Sequence, residues 1–179
     1  LNSNHSGNRV FLTYAYDHAD SRAYLRTRTN TETNVTFYPS PFFNKTVTAA
    51  STTLTSHIFA NGSPVATVET EDTGTPQLFF NHQDHLYSSS LVTDAAGQIA
   101  EQVEYSAFGQ IRSDVGPHRE QRKFTSHEFD DPTDYTYALA RYLDTKGGRF
   151  LSQDPAFLLV GDRGFDQRYN RSLESFLAD

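Results

Sequence analysis

Two histidines and an aspartate stand close together in the middle of the chain, at His82, Asp84 and His85. Imidazole nitrogens and carboxylate oxygens are common zinc ligands, so this group is the most evident place for metal chemistry. The surrounding residues alternate as in a β-strand, which places positions 82 and 84 on one face and position 85 on the other. We therefore expect no metal site and no cofactor here.

Other residues with catalytic potential lack the context that their chemistry needs. The serines at 88–90 have no Gly-x-Ser-x-Gly turn to expose a nucleophile, so a polar turn is expected. Asp130, Asp131 and Asp134 lack the spaced ligands and the glycine of a calcium loop, which favours a solvated acidic loop. No glycine-rich phosphate-binding motif occurs, and nucleotide binding has no support.

Composition excludes several classes of protein. The 179 residues include 15 Lys and Arg against 22 Asp and Glu, a net charge of −7. Neither nucleic acid nor an anionic membrane is therefore expected as the main partner. Cysteine is absent, which excludes disulfides and thiol nucleophiles. No apolar run is long enough for a transmembrane helix. Because methionine is also absent, we expect the chain to be part of a longer protein.

Short segments that alternate polar and apolar residues, separated by turn residues, predict an all-β, antiparallel fold. The clearest hairpin joins residues 56–60 to residues 65–69 through Asn61 and Gly62. An Asn-Gly pair suits the positive φ angles of a two-residue hairpin turn. Further strands are predicted at 9–16, 23–29, 34–38, 78–80 and 99–105.

The end of the chain has a different pattern. Phe165, Tyr169, Leu173 and Phe176 recur at helical spacing, with no proline between them. This spacing predicts one or two short amphipathic helices within residues 164–178. The alternative is a loop with scattered aromatic residues.

Residues 79–155 contain six short motifs that place aromatic, glycine and aspartate residues at turns. They are H-Q-D-H-L at 82–86, V-T-D at 92–94 followed by Gly97, Y-S-A-F-G at 105–109, F-T-S-H-E-F-D at 124–130, A-R-Y-L-D at 140–144 and G-R-F-L-S-Q-D-P at 148–155. In this order and spacing they resemble the RHS-repeat-associated core domain of the RHS/YD-repeat proteins. Residues 9–70 resemble degenerate YD repeats that lead into it.

The chain departs from the family pattern at several turns. Tyr87, Ser126 and Asp134 stand where the family has glycine, Ala107 replaces a proline, and Leu143 replaces the second tyrosine of the Arg-Tyr-Tyr motif. Glycine serves where the backbone must adopt a positive φ. The geometry of the three turns without glycine is therefore an open question.

The resemblance implies a long β-sheet that spirals into a hollow shell, with the core domain closing one end. In bacterial members the chain beyond the core domain is variable and often toxic, and many members release it by cutting themselves. We accordingly assign residues 1–78 to degenerate YD-repeat strands, residues 79–155 to the core domain and residues 156–179 to a short, truncated helical tail.

The resemblance also implies a place for self-cleavage of an aspartyl type. Two neighbouring carboxyl groups have different pKa values, because the charge of one disfavours ionisation of the other. One group can then act as base and the other as acid. Asp154 matches the first Asp-Pro aspartate of the family, and Arg149 and Arg141 can hold that carboxylate by bidentate pairing. The family's second motif, Asp-Pro-x-Gly-Leu, is not among these residues, so we expect at most half of a site. The alternative for Asp154 is a structural carboxylate in a turn or helix cap before Pro155.

The sequence thus predicts a structural shell segment that encapsulates and delivers a C-terminal toxin or effector domain of a secreted or cell-surface bacterial protein. Two alternatives stay open: an adhesive or glycan-binding YD-repeat module, and part of an autoprotease, although we expect no enzymatic activity from these residues alone. The expected partners are the rest of the same shell and the enclosed domain, with surface glycans or proteins as further candidates. We expect no nucleic acid and no membrane insertion. Exposed strand edges predict self-association of an isolated piece.

Overall fold

The computed structural model describes residues 2–3, 9–18, 21–118, 120–155 and 157. Their strands form two sheets. The larger sheet contains β1 (Asn2–Ser3), β2 (Arg9–Tyr16), β3 (Arg22–Arg28), β4 (Thr33–Ser40), β5 (Phe43–Val47), β6 (Thr52–Ala60), β7 (Ser63–Glu71), β8 (Gln77–Gln83), β9 (Ser89–Asp94), β10 (Ile99–Tyr105) and β11 (Ile111–Val115). The smaller sheet contains β12 (Glu128–Asp130), β13 (Tyr135–Ala138), β14 (Arg141–Asp144) and β15 (Arg149–Phe150), and a 3₁₀ turn at Phe124–Ser126 precedes it.

Both sheets are meanders, in which each strand pairs antiparallel with the next strand of the chain. The prediction of an all-β, antiparallel fold is confirmed. The larger sheet continues across residue 78, which lies inside β8, and the division of the chain at this residue stays a prediction. The predicted helical tail at 156–179 lies outside the described residues, apart from Phe157. In the described part of the chain, no helix has the length and apolar character needed to span a membrane.

The predicted Asn-Gly hairpin is confirmed and longer than expected. Asn61 and Gly62 have φ angles of 50° and 78° and join β6 to β7, which each have nine residues. The strand predicted at 34–38 was expected to end before Pro39. This predicted end is wrong, because β4 continues to Ser40. Its pairing with β5 shifts register between Phe37 and Ser40, as expected for a strand that contains a residue without a backbone N–H.

The pairing register divides the side chains of the larger sheet between two faces. We call the face against which residues 116–157 pack the covered face, and the opposite one the open face. Thr55 and Thr67, each 1% exposed, lie on the covered face. Asn44 lies beside them and donates a hydrogen bond to Gln121 of the following chain. The covered face is thus lined by polar side chains as well as apolar ones.

Residues 116–127, the crossing segment, connect the two sheets and run over the covered face; residue 119 is outside the described residues. The segment begins at Gly116, where a Cβ would lie 2.2 Å from the Ala100 carbonyl oxygen and φ is +123°. Only glycine allows this close approach. The segment reaches β5 at Gln121 and returns to β10 and β11 at Lys123.

The apolar core of the larger sheet is small. It consists of Phe79, Val92 and Ala100, which lie on β8, β9 and β10. Among the described residues, buried polar and charged side chains outnumber buried hydrophobic ones. Because little apolar surface is buried, hydrogen bonds and ion pairs must fix what packs on the covered face.

The three positions where the family's glycine is replaced all keep the left-handed backbone. Tyr87, Ser126 and Asp134 have φ angles of 64°, 61° and 59°. Two of these turns hold each other, because the Ser126 hydroxyl donates a hydrogen bond to the Tyr87 carbonyl over 2.7 Å. The three turns therefore have the positive φ that is typical of glycine, although each of these residues carries a side chain.

Replacing Tyr87 by glycine is expected to raise the free energy of unfolding by about 0.5–1 kcal/mol, because a side chain at positive φ is strained. The Tyr87 side chain is 61% exposed, so its loss removes little packing. The midpoint of urea unfolding measures the change. The neighbouring Leu86 has negative φ and an exposed side chain, and Leu86→Gly serves as the control that should give no gain. Equal effects of the two substitutions would contradict the assignment of strain to position 87.

Candidate functional site

Arg22, at the start of β3, is the centre of a buried ion cluster on the covered face. Its Nη1 donates hydrogen bonds to both carboxylate oxygens of Asp130, at 2.8 and 2.9 Å, and its Nη2 donates to Glu128. The rings of Tyr38 and Tyr137 lie 4.7 and 4.4 Å from the guanidinium carbon. The backbone N–H of Arg22 also donates to the Tyr137 hydroxyl over 3.0 Å. One arginine thus connects β3 to β12 and β13.

Burial and charge pairing act against each other in this cluster. Burial opposes the charge of Arg22, but Glu128 and Asp130 outweigh it and raise the pKa of the guanidinium above its ordinary value. Burial raises the pKa of the Asp130 carboxyl, and the attraction to Arg22 reduces that rise. Removal of Arg22 would leave Asp130 buried without a cation, whereas Glu128 would keep its 3.4 Å ion pair with Arg122.

Lys123 forms a second cluster where the crossing segment returns to the larger sheet. Its Nζ lies 2.7 Å from Glu101 and 3.0 Å from Asp114, on β10 and β11. The other Glu101 oxygen accepts the backbone N–H of Glu120 at 2.7 Å. Burial raises the pKa of Glu101, and its hydrogen bond with Lys123 opposes that rise. The side chain of Glu101 is therefore enclosed and fully paired, and ties the segment to the sheet.

His118 forms a third cluster with carboxylates on each side. Its ring stacks on Phe79 at a centroid distance of 4.0 Å, and its nitrogens lie 3.7 Å from Glu69 and 4.0 Å from Glu120. Glu120 also accepts a hydrogen bond from the Thr67 hydroxyl at 2.8 Å. Burial raises the pKa of Glu120, but His118 and a backbone N–H outweigh it and lower the pKa to about 2. Glu120 therefore carries its negative charge into the interior.

The three clusters share one structural role. They hold the crossing segment and the smaller sheet over β2–β11 through charged contacts that fit one arrangement. Buried ion pairs of this kind add little net stability, because desolvation offsets attraction, but removal of one partner is costly. The arrangement positions a closing element over the larger sheet.

The sequence analysis did not identify these clusters. One signal was present in the sequence. Glu101 shares a strand face with Val103 and Tyr105, so a charged residue occupies a position that faces inward. Such a residue requires a buried partner. The partner, Lys123, lies 22 residues along the chain, and no local pattern identifies it.

The structure brings together two of the three residues predicted for self-cleavage. Asp154 lies 2.7 Å from the guanidinium of Arg141, an ion pair that is partly exposed. The same guanidinium lies over the Phe150 ring, 3.7 Å from its centroid. Arg149 lies on β15, opposite Asp144 of β14. The carbonyl of Asp154 accepts the N–H of Phe157, so the aspartate also belongs to a turn. The role of all three residues in chemistry stays a prediction.

The group at positions 82–85 is explained by turn structure. The Nε2 atom of His82 forms a hydrogen bond with the Thr93 hydroxyl at 2.9 Å. The Asp84 carboxylate accepts the backbone N–H groups of Leu86 and Ser88, each at 2.8 Å. The expectation that 82 and 84 share a strand face is wrong, because β8 ends at Gln83. Within the described residues, no group of three or more His, Asp or Glu side chains is placed to hold a metal ion.

One other local prediction is wrong, and a second is wrong for one of its three residues, since Asp131 and Asp134 are exposed in a turn as predicted. The serines at 88–90 are not a polar turn, because Ser89 and Ser90 belong to β9, and Ser88 and Ser89 are buried. Asp130 is not part of a solvated loop, because it is 4% exposed and binds Arg22. Both errors arise because the covering chain, which excludes water from these positions, is distant in sequence.

Solved toxin structures share this fold. A chain of the TcdB2–TccC3–TEV crystal structure matches 87% of this chain with a TM-score of 0.75 and 21% identity, over 8% of its own length. The TM-score is 0.73 for TcdB2–TccC3 without its hypervariable C-terminal region. A chain of the Photorhabdus luminescens Tc holotoxin pore gives 0.75 at 21% identity. The prediction of a β-shell fold is thus confirmed at the level of architecture.

One relative is detected by sequence. Double-stranded DNA deaminase toxin A of Burkholderia cenocepacia (strain H111) is 32% identical over 90 residues, 48% of this chain. The chain spans about 6% of the length of that toxin. No family model matches the chain. The similarity therefore places the chain beside segments of large toxins.

Arg22→Met is expected to lower the free energy of unfolding by about 3–5 kcal/mol, because it leaves Asp130 buried without a cation and Glu128 with only its 3.4 Å ion pair to Arg122. Guanidinium chloride unfolding measures the loss. Arg26→Met on the same strand is the matched control, because Arg26 is exposed, and it should cost about 0.5 kcal/mol or less. If both variants unfold at the same denaturant concentration, the cluster does not hold the smaller sheet in place.

Proposed function

We propose that these residues form a wall segment, with its covering element, of a hollow RHS-type shell that encloses and delivers a C-terminal toxin or effector domain. One observation carries the proposal: an extended antiparallel sheet is covered on one face by the chain that follows it, through buried ion clusters. A sheet built in this way separates an inner surface from an outer one.

The comparisons support this role. The solved chains with the same fold belong to toxin complexes, and one of them is named for lacking a hypervariable C-terminal region. A shared fold that persists without that region is what a carrier with variable cargo requires. The sequence relative is itself named a toxin. By this argument the protein is a secreted or surface-exposed bacterial toxin component.

The covered face has the chemistry of a wetted inner wall. A space of about 500 Å³ remains beside the crossing segment, and its lining includes the polar Thr46, Thr53, Glu69 and Gln77 as well as the apolar Phe79, Ile99 and Ala100. Hydroxyl, amide and carboxylate groups keep water and do not adsorb apolar chain strongly. The polar side chains of this wall therefore favour a layer of water between the wall and an enclosed domain.

The outer strands of the larger sheet indicate which partners this segment binds. In the described residues β1 and β11 are the two outer strands of the larger sheet, and their free N–H and C=O groups can pair with further strands. We propose that neighbouring strands of the same shell occupy these edges, since an open edge invites association.

Encapsulation predicts that the C-terminal domain of the full natural gene product resists protease. Limited trypsin digestion, followed by intact mass measurement, should leave that domain uncut for longer than the same domain expressed alone. The Arg22→Met variant, whose covering sheet is loosened, should lose this protection, and Arg26→Met should keep it. Equal digestion of the enclosed and the isolated domain would overturn the proposal of an enclosing shell.

We further propose that Asp154, held by Arg141, is one of the two carboxylates of a self-cleavage site completed by residues outside this chain. Intact mass of the full natural gene product should show two fragments, and Asp154→Asn should leave one uncut chain. Arg141→Gln should slow the cut. Asp134→Asn is the control that should cut normally, because Asp134 is exposed and asparagine accepts its positive φ.

Two results would contradict this assignment. Cutting in Asp154→Asn would mean that the aspartate is a structural turn residue and that the chemistry lies elsewhere. A single uncut chain from the unaltered protein would remove the autoprotease and leave the shell proposal standing.

A further inference from the structure

The two faces of the larger sheet differ in charge. Strands β2–β9 contain three carboxylates, Glu69, Glu71 and Asp94, and the pairing register places all three on the covered face. Among the described side chains of these strands, the open face has no carboxylate. It carries Arg26 and Arg28, together with a lysine on β5. On a chain of net charge −7, this face is a local exception.

Two of these cations line a groove of about 710 Å³ at the β2–β3–β4 end of the open face. Phe11, Arg28 and Thr33 are register partners across the three strands. Thr13 and Arg26 form the next row. Rows on one face lie about 6.8 Å apart and neighbouring strands about 4.8 Å apart. The two guanidinium groups therefore stand side by side next to an aromatic ring that is 46% exposed.

The guanidinium groups in the groove are available for a ligand. The Arg26 side chain has a long contact of 3.5 Å to the Thr13 hydroxyl. Within the described residues, the Arg28 side chain makes no ion pair or hydrogen bond. Two adjacent arginines without a carboxylate partner suit bidentate binding of a carboxylate or a sulfate. An exposed ring beside them offers a flat apolar surface for the C–H face of a sugar.

The loop that closes the groove is built to stay in place. The Thr29 hydroxyl accepts the backbone N–H groups of Thr31 and Glu32, at 3.3 and 3.0 Å, and the Thr29 N–H donates to the Glu32 carbonyl at 2.8 Å. The Glu32 side chain also lines the groove. Its carboxylate can accept a hydrogen bond from a sugar hydroxyl.

We propose that this groove binds an acidic saccharide. Arg26 and Arg28 hold its carboxylate or sulfate, the Phe11 ring packs against a pyranose ring, and Glu32 accepts a ring hydroxyl. The groove volume fits a ligand of two or three sugar units. The site is on the open face and does not depend on the shell proposal, which concerns the covered face.

Isothermal titration calorimetry with the full natural gene product tests the site. The probes are a heparin hexasaccharide for sulfate, a galacturonate hexamer for carboxylate, and maltohexaose as the uncharged control. The first two distinguish the source of the anion. A dT oligonucleotide tests nucleic acid instead, and vesicles with one-fifth phosphatidylserine test a membrane surface.

Three variants separate the groove from general charge. Arg26→Gln combined with Arg28→Gln should weaken binding of the acidic hexasaccharide by about tenfold or more. Phe11→Thr leaves the charge unchanged and should also weaken it by about tenfold. Lys45→Gln removes a cation from the same face outside the groove and should change Kd by less than about twofold. Melting temperatures confirm that each variant is folded.

The outcomes decide the proposal. Binding of either acidic saccharide that is lost with the groove variants and kept in Lys45→Gln supports it, and the better probe names the anion. Equal affinity for maltohexaose, equal weakening by Lys45→Gln, preference for the oligonucleotide or the vesicles, or no binding of either acidic saccharide would each overturn it.

Discussion

The Arg22 cluster is the interaction on which the rest of the structure depends. The larger sheet buries a small apolar core, and the smaller sheet adds few strands, so neither has enough apolar surface to fix its partner by burial alone. Arg22 fixes the smaller sheet through directional hydrogen bonds, because its planar guanidinium binds Asp130 and Glu128 in one geometry. The contact joins residues more than a hundred positions apart and thereby closes the covered face.

Polar closure has a physical consequence for the covered face. An element held by apolar contact would require an apolar wall, whereas one held by ion pairs leaves the remaining wall polar. Thr46 and Thr53, opposite each other in β5 and β6, line such a remaining space. The same chemistry that positions the crossing segment thus keeps water against the sheet.

The open face follows a different rule. At its β2–β4 end, register neighbours include aromatic and basic residues. Examples are the pair Tyr24 and Phe37, whose rings meet edge to face at 5.5 Å, and the arginines Arg26 and Arg28. On β2–β9, segregation of the carboxylates to the covered face and of Arg26, Arg28 and Lys45 to the open face requires only the two-residue period of a strand. One sheet can therefore present two surfaces of different chemistry.

Local pattern was sufficient for the strands, the antiparallel order and the Asn61 turn, because period-two alternation and turn residues act over a few positions. Even the lost glycine at Tyr87 left the turn unchanged, since the surrounding pairing determines φ there. The Arg22 and Lys123 clusters, and the burial of Ser88, were beyond local reasoning. A buried charge is stable only beside its partner, and those partners meet through chain reversal, which the tertiary structure alone decides.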